Sequence, residues 1–276
     1  MKYYVIADPH GYYDLMTSAL ENSGFFRETR PCKLIVCGDL LDRGEGTLDT
    51  VRFMLELLEQ GRLIYVRGNH EDLLVRLLSD LVGDYDLKRI ESGDSYHVRN
   101  GTWDTALRLA GMTAEEALCR PEVLVRRVEA TPFYTRLLPA AVNYFETEHY
   151  VFTHGYLPCL SLDGDTAFRE YRHFRHDPHW REASDGDWFN ARWYNGMRFA
   201  CQMDLHLSDK TVVCGHWKCS YGHAFIEGKP REGDGSADYE PFYGKAREDA
   251  DGRIVLIALD ACTAVSGIVN CIALED

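Results

Sequence analysis

Leu34-Ile35-Val36-Cys37-Gly38-Asp39-Leu40-Leu41-Asp42-Arg43-Gly44 runs from an apolar stretch into a glycine turn that carries two carboxylates and an arginine. Two other stretches are built alike. Tyr3 to Ala7 leads into Asp8-Pro9-His10-Gly11, and Leu63 to Val66 leads into Arg67-Gly68-Asn69-His70-Glu71. Short β-branched or aromatic runs that are continuous rather than alternating read as strands covered on both faces. Between them, Tyr13 to Ser23 and Thr47 to Gln60 carry apolar residues at helical spacing, the second closed by Gly61. Strand, helix, strand, helix, strand over residues 3–83 predicts an α/β chain with parallel crossovers.

Further strands are predicted at Tyr150 to Thr153, Thr211 to Cys214, Ile254 to Leu259 and Ile268 to Leu274. Two of them deliver Thr153-His154-Gly155 and Cys214-Gly215-His216. Residues 72–142 read as a mostly helical insertion within a single 1–276 domain, with helical spacing at Leu73 to Leu81, Trp103 to Leu109, Ala114 to Leu118 and Val123 to Val128. Residues 227–252 are rich in glycine and acids and read as a long acidic loop.

The chain has 276 residues, with 30 Lys+Arg against 44 Asp+Glu, a formal charge of −14. An acidic chain is a poor match for a nucleic-acid backbone as main partner. The longest stretch without a charged residue, Ala261 to Leu274, is shorter than the ~20 residues of a spanning helix, so no membrane partner is expected. Asp8 interrupts the first apolar run too early for a secretory leader. Nine cysteines without a C-x-x-C read as free thiols of a reducing compartment, and the expected location is the cytoplasm.

In open α/β sheets the carboxyl ends of strands share one edge, where ligands bind. That edge would gather Asp8, His10, Asp39, Asn69, His154 and His216. Three oxygen donors with three imidazoles suit Mn, Fe, Zn or Ni better than Ca or Mg alone. Six donors exceed one site, so two divalent ions sharing Asp39 is the economical reading, with manganese first.

At these residues the chain resembles the metallophosphoesterases, in particular the phosphoprotein phosphatase branch of serine/threonine phosphatases and diadenosine tetraphosphate hydrolases. D-x-H-G stands as Asp8 to Gly11, G-D-x-x-D-R-G as Gly38 to Gly44 and R-G-N-H-E as Arg67 to Glu71, followed in order by His154 and His216. The resemblance covers residues 1–83, 149–160 and 211–276. It implies the calcineurin-like fold, a two-sheet β-sandwich flanked by helices in α-β-β-α layers. It implies one metal on Asp8, His10 and Asp39, the other on Asp39, Asn69, His154 and His216, and in-line attack on phosphorus by a hydroxide bridging the pair. His70 would be the general acid with Asp42 orienting it, and Arg43 would grip the phosphoryl group. Of two candidates for a second phosphate arginine, Arg192 and Arg198, Arg192 is preferred. Lys218 stands where relatives outside this branch carry a second histidine in G-H-x-H.

The substrate implied first is a phosphomonoester, with phosphoserine/threonine proteins typical; a diadenosine polyphosphate or other nucleotide ester is the alternative, and a non-catalytic scaffold the third reading. Trp217, Tyr221, Tyr239 and Tyr243 are available to stack on a base. His173, His176 and His179 read as a solvated polar segment rather than a second metal site. The sequence leaves the oligomeric state open.

Overall fold

The computed structural model describes residues 1–161, 174–231, 236–246 and 252–276. One sheet holds β1 (Lys2–Ile6), β2 (Cys32–Cys37), β3 (Leu63–Val66) and β11 (Cys271–Glu275) in the order β11-β1-β2-β3. The first three are parallel, and β11 closes the edge antiparallel to β1, with Tyr3 opposite Leu274. A second sheet holds β4 (Phe145–Glu146), β5 (Tyr150–Phe152), β8 (Thr211–Cys214), β9 (Phe242–Lys245) and β10 (Ile254–Ala258) in the order β4-β5-β8-β10-β9. Its three central strands are parallel, between antiparallel edges. A ribbon of β6 (Cys159–Ser161) and β7 (Phe174–His176) stands apart from both.

Alternation along each strand explains the layers. Val5, Ala7, Ile35 and Cys37 turn inward to meet Phe152, Val213, Ile257 and Leu259 of the other sheet. Their neighbours Tyr4, Ile6, Leu34 and Val36 turn outward to Met16 and Leu20 of α1 (Tyr13–Ser23), Val51 and Met54 of α2 (Thr47–Glu59), and Leu74 and Leu77 of α3 (Asn69–Val82). On the far side Val151, Val212 and Leu256 pack against Trp188 of α10 (Asp185–Ala191) and Phe199. Each parallel strand is therefore covered on both faces, the physical reason its sequence is continuously apolar. A fully buried leucine such as Leu20 contributes about 2 kcal/mol by leaving water.

After α3 the chain continues through short helices, α4 (Lys88–Glu91), α5 (Tyr96–Arg99), α6 (Thr102–Ala110), α7 (Ala114–Cys119), α8 (Pro121–Glu129) and α9 (Leu138–Ala140). Thr113 caps α7 reciprocally with Glu116, and Pro121 opens α8 at a position where its missing N–H costs nothing. The predicted strand Ile268 to Leu274 begins only at Cys271. Asn270 instead spends its side-chain amide on the Leu259 and Tyr239 carbonyls at 3.1 and 2.8 Å, before pairing starts. The stretch 227–252 is not loop throughout. Phe242–Lys245 forms an edge strand whose residues alternate buried and exposed.

All nine cysteines are free thiols. No helix among the described residues is long and apolar enough to cross a membrane.

Candidate active site

β1, β2, β3, β5 and β8 end at one edge, and the turns that follow them interlock. Asp8 N–H donates to Gly38 O at 3.3 Å, His10 N–H to Asp39 O at 3.1 Å, Gly11 N–H to Leu40 O at 2.8 Å and Gly215 N–H to His154 O at 2.8 Å. The backbone is bent hard to do this. Asp8, His10, Asp39, Asp42, Arg43 and His216 all take positive φ, between 47° and 78°. Non-glycine residues pay of order 1–3 kcal/mol each for sparsely populated backbone, and such residues gather at functional sites. Glycine is required where side chains crowd the turns. A Cβ on Gly215 would run into Asp8 Oδ2, and one on Gly68 into the Asp39 carboxylate.

The six donors expected from the sequence converge here. Asp39 lies at the centre, buried, with Oδ2 at 3.8 Å from both His10 Nε2 and His70 Nε2 and Oδ1 at 3.3 Å from His154 Nε2. His10, Asp39 and His70 form one potential metal-holding group, and Asp39, His154 and His216 another. Asn69 Oδ1 lies 2.8 Å from His154 Nε2, and both Asp8 oxygens accept the His216 N–H at 3.0–3.1 Å. His10 Nδ1–H donates to Leu41 O at 3.0 Å and His154 Nδ1–H to Cys37 O at 2.8 Å. Each ring thereby presents a bare Nε2 to the cluster, the arrangement that prepares an imidazole for a cation. Burial pushes His10 well below its ordinary pKa and, with the nearby His154, pushes His216 down to about 3, so both stay neutral. Burial opposes charge on Asp39 as well. The four surrounding imidazoles nevertheless hold its carboxyl well below the usual range. Asp8 is pushed well above it by burial, then by the carboxylates of Asp260 and Asp39. A pocket of imidazole nitrogens and mutually repelling carboxylates fits divalent cations, which would neutralise the carboxylates and take the Nε2 lone pairs.

Beside the donors, His70 Nδ1–H donates to Asp42 Oδ2 at 2.6 Å. Burial disfavours the imidazolium of His70, but Asp39 and Asp42 outweigh it and raise the pKa. The exposed Arg43 reaches over both rings, one Nη donating to His10 Nε2 and the other to His70 Nε2 at 3.2 Å.

Arg192, expected on the phosphate, is buried and engaged elsewhere. Its Nε donates to Asp72 Oδ2 at 2.6 Å and one Nη to Asn143 Oδ1 at 2.9 Å, while Arg67 pairs with the other Asp72 oxygen at 2.8 Å. Two carboxylate oxygens at the start of α3 thus bind two arginines, and Arg192 acts there as a tie between layers.

His176 lies in β7 and His179 just beyond it; His173 lies outside the described residues. Among the described residues the metal-holding groups include neither His176 nor His179.

Three residues escaped the sequence reading. Glu71 accepts the N–H groups of Gly68, Asp39 and Leu40 at 2.7, 3.1 and 2.9 Å, joining the turns after β2 and β3. Its position three residues after Gly68, the third of the helix, is a capping position visible in the sequence. Asp260, buried two residues past β10, follows the same strand-end rule as the donors. Thr102 donates from α6 to Asp42 Oδ2 at 2.7 Å, and no local pattern announces a contact across 60 residues.

The calcineurin-like phosphoesterase family profile matches residues 1–220. Among curated proteins, the asymmetrical bis(5'-nucleosyl)-tetraphosphatase PrpE of Bacillus subtilis is 30% identical over 140 residues, 49% of this chain and 52% of that protein. Serine/threonine-protein phosphatase 2 of Escherichia coli is 35% identical over 91 residues, 33% of this chain and 38% of that protein. The chain spans about half the length of the first and less of the second. A solved cold-active protein tyrosine phosphatase shares the fold with a TM-score of 0.56 at 17% identity, covering 99% of this chain and 73% of that one. With its signature turns meeting at one sheet edge, and the profile matched over most of its length, the chain belongs to the calcineurin-like phosphoesterase family.

Proposed function

We propose that the protein hydrolyses phosphate esters with two divalent metal ions, manganese first, held by Asp8, His10, Asp39, Asn69, His154 and His216. The observation that carries this reading is the placement of Asp39, whose two oxygens face different imidazoles, His10 and His70 on one side and His154 on the other. One carboxylate is thereby positioned to serve two cations. Bound there, such ions lower the pKa of water and neutralise phosphoryl oxygens.

The chain's own groups supply the rest. His70, with Nδ1 fixed by Asp42, is the proton donor to the leaving oxygen: its raised pKa favours the imidazolium, which carries that proton on Nε2 once Arg43 turns its Nη from this atom to the phosphoryl group. Asp42 holds the ring through the oxygen that Thr102 also donates to. Arg43 offers two Nη donors over the same Nε2 atoms, a fork that matches two phosphoryl oxygens. We read the chain as one catalytic core in which residues 72–142 are an insertion that serves the site, through Thr102 on Asp42 and Arg108 on the Gly44 carbonyl at 3.1 Å.

In the test, purified protein with Mn²⁺ releases nitrophenol from p-nitrophenyl phosphate. His70→Asn loses about 10²–10⁴-fold in rate, the worth of a positioned acid, while still binding metal. No hydrolysis with any divalent metal contradicts the proposal. Phosphoproteins and nucleotide esters are the two substrate classes, and the choice turns on the surface beside His216.

A further inference from the structure

The helix α11 (Cys219–Phe225) follows β8 at once, so the residues between them border the donor cluster. Its inner face is committed to the core: Cys219, Gly222 and His223 are buried, and His223 is tied to Glu227 and to the Glu240 carbonyl. Its outer face presents Tyr221 and Phe225, four residues apart and therefore neighbours on one side. With Trp217 they form a row of rings leading away from His216. Trp217 lies 6.4 Å from the His216 ring, Tyr221 meets Trp217 edge-on at 5.5 Å, and Phe225 stacks on Tyr221 at 4.7 Å. Arg231 covers the far end, its guanidinium 4.6 Å from the Phe225 ring centre. These side chains and Lys218 line a hollow of about 240 Å³. A hollow of about 420 Å³ near Arg30 and Gly61 adjoins the start of β1, away from the donors; another of the same volume, beside Gly11 and Gly46, adjoins the donor turns but is lined by Asp14, Glu45 and Asp49, whose carboxylates repel an anionic substrate.

Phe225 is 49% exposed, a large apolar ring outside the core. A slot with aromatic walls takes a flat ring, and Lys218 and Arg231 complement negative charge. A phosphopeptide matches this poorly, because its extended backbone and polar flanking side chains have no use for a row of π faces. A nucleotide has both required parts in one molecule, a planar base and an anionic phosphate chain. We propose that the hollow formed by Trp217, Tyr221 and Phe225 is the base-binding subsite of a nucleoside polyphosphate ester whose reacting phosphate lies at the Asp39 cluster. The inference rests on the phosphoester-hydrolase reading above and names its substrate class.

The test uses Phe225→Ala, at an exposed position where folding is least at risk, and Tyr221→Leu as a second variant. Base–aromatic stacking of the usual strength gives about a tenfold rise in KM for diadenosine tetraphosphate, with kcat within about twofold of wild type. Kinetics on β-glycerophosphate, which has no ring, stay unchanged. Unchanged KM for the dinucleotide overturns the subsite while leaving the hydrolase reading intact. An equal loss on a phosphopeptide overturns it too, and assigns the hollow to peptide. If the wild type hydrolyses no ester with any divalent metal, the hydrolase reading falls and titration with adenosine 5'-diphosphate decides the hollow separately. Binding weakened about tenfold in Phe225→Ala sustains it, and equal binding overturns it.

Discussion

Thr102→Val probes whether the helices beyond α3 belong to the catalytic machinery. The side chains are nearly isosteric, so packing around the buried position is kept and one O–H donor is lost. That donor lies 2.7 Å from Asp42 Oδ2, the oxygen that also receives His70 Nδ1–H at 2.6 Å. A hydrogen bond to a charged group contributes about 1.5–3 kcal/mol, and the methyl that replaces it leaves Asp42 less well solvated. With roughly 2–4 °C of melting temperature per kcal/mol for a chain of this size, the variant melts about 5 °C lower. Asp42 then holds His70 with one anchor fewer. A loss of alignment worth ~1.4 kcal/mol at the barrier lowers kcat about tenfold. KM stays near wild type, because Thr102 is placed to touch Asp42 rather than substrate. Thermal melts and steady-state hydrolysis of p-nitrophenyl phosphate measure both effects, and Thr102→Ser restores both by returning the hydroxyl. A Val variant with wild-type melting temperature and kcat, or a Ser variant as impaired as Val, refutes the reasoning.

Gly215→Ala places a methyl against Asp8 Oδ2, backed by the rigid turn after β8. It is expected to abolish tight metal binding by calorimetric titration while the far-ultraviolet circular dichroism of the sheets persists. Phe152→Ala removes a fully buried ring from between the two sheets, where it packs against Tyr3, Phe145 and Tyr150. Denaturant unfolding is expected to show a loss of about 3–5 kcal/mol. A loss below ~1 kcal/mol would mean that the sheets do not share this core.

What the sequence makes legible follows from burial and locality. Among the described residues the six parallel strands are covered on both faces, so each shows as an unbroken apolar run, and the donors follow them within a few residues because strand ends share an edge. The edge strands are different. β9 is exposed on one face and alternates, and its four residues sit in a glycine-rich, acidic stretch that hides them. β11 starts three residues later than its apolar run, because Asn270 caps neighbouring carbonyls first. Within the site, residues presented by adjacent turns can be read from motif spacing, whereas Thr102 reaches Asp42 only through tertiary packing. Arg192 shows the opposite limit. Its residue type suits a phosphate, but the chain supplies Asp72 and Asn143 as acceptors, and these contacts are invisible before folding.

The central claim is that one carboxylate serves two cations, and counting bound metal tests it most directly. Manganese per chain, measured by elemental analysis after equilibrium dialysis of wild type and Asp39→Ala, is expected to be two in the wild type and less than one in the variant. Hydrolysis should rise only as the second ion binds. One ion per wild-type chain at full activity, or two ions retained with Asp39 removed, contradicts the account.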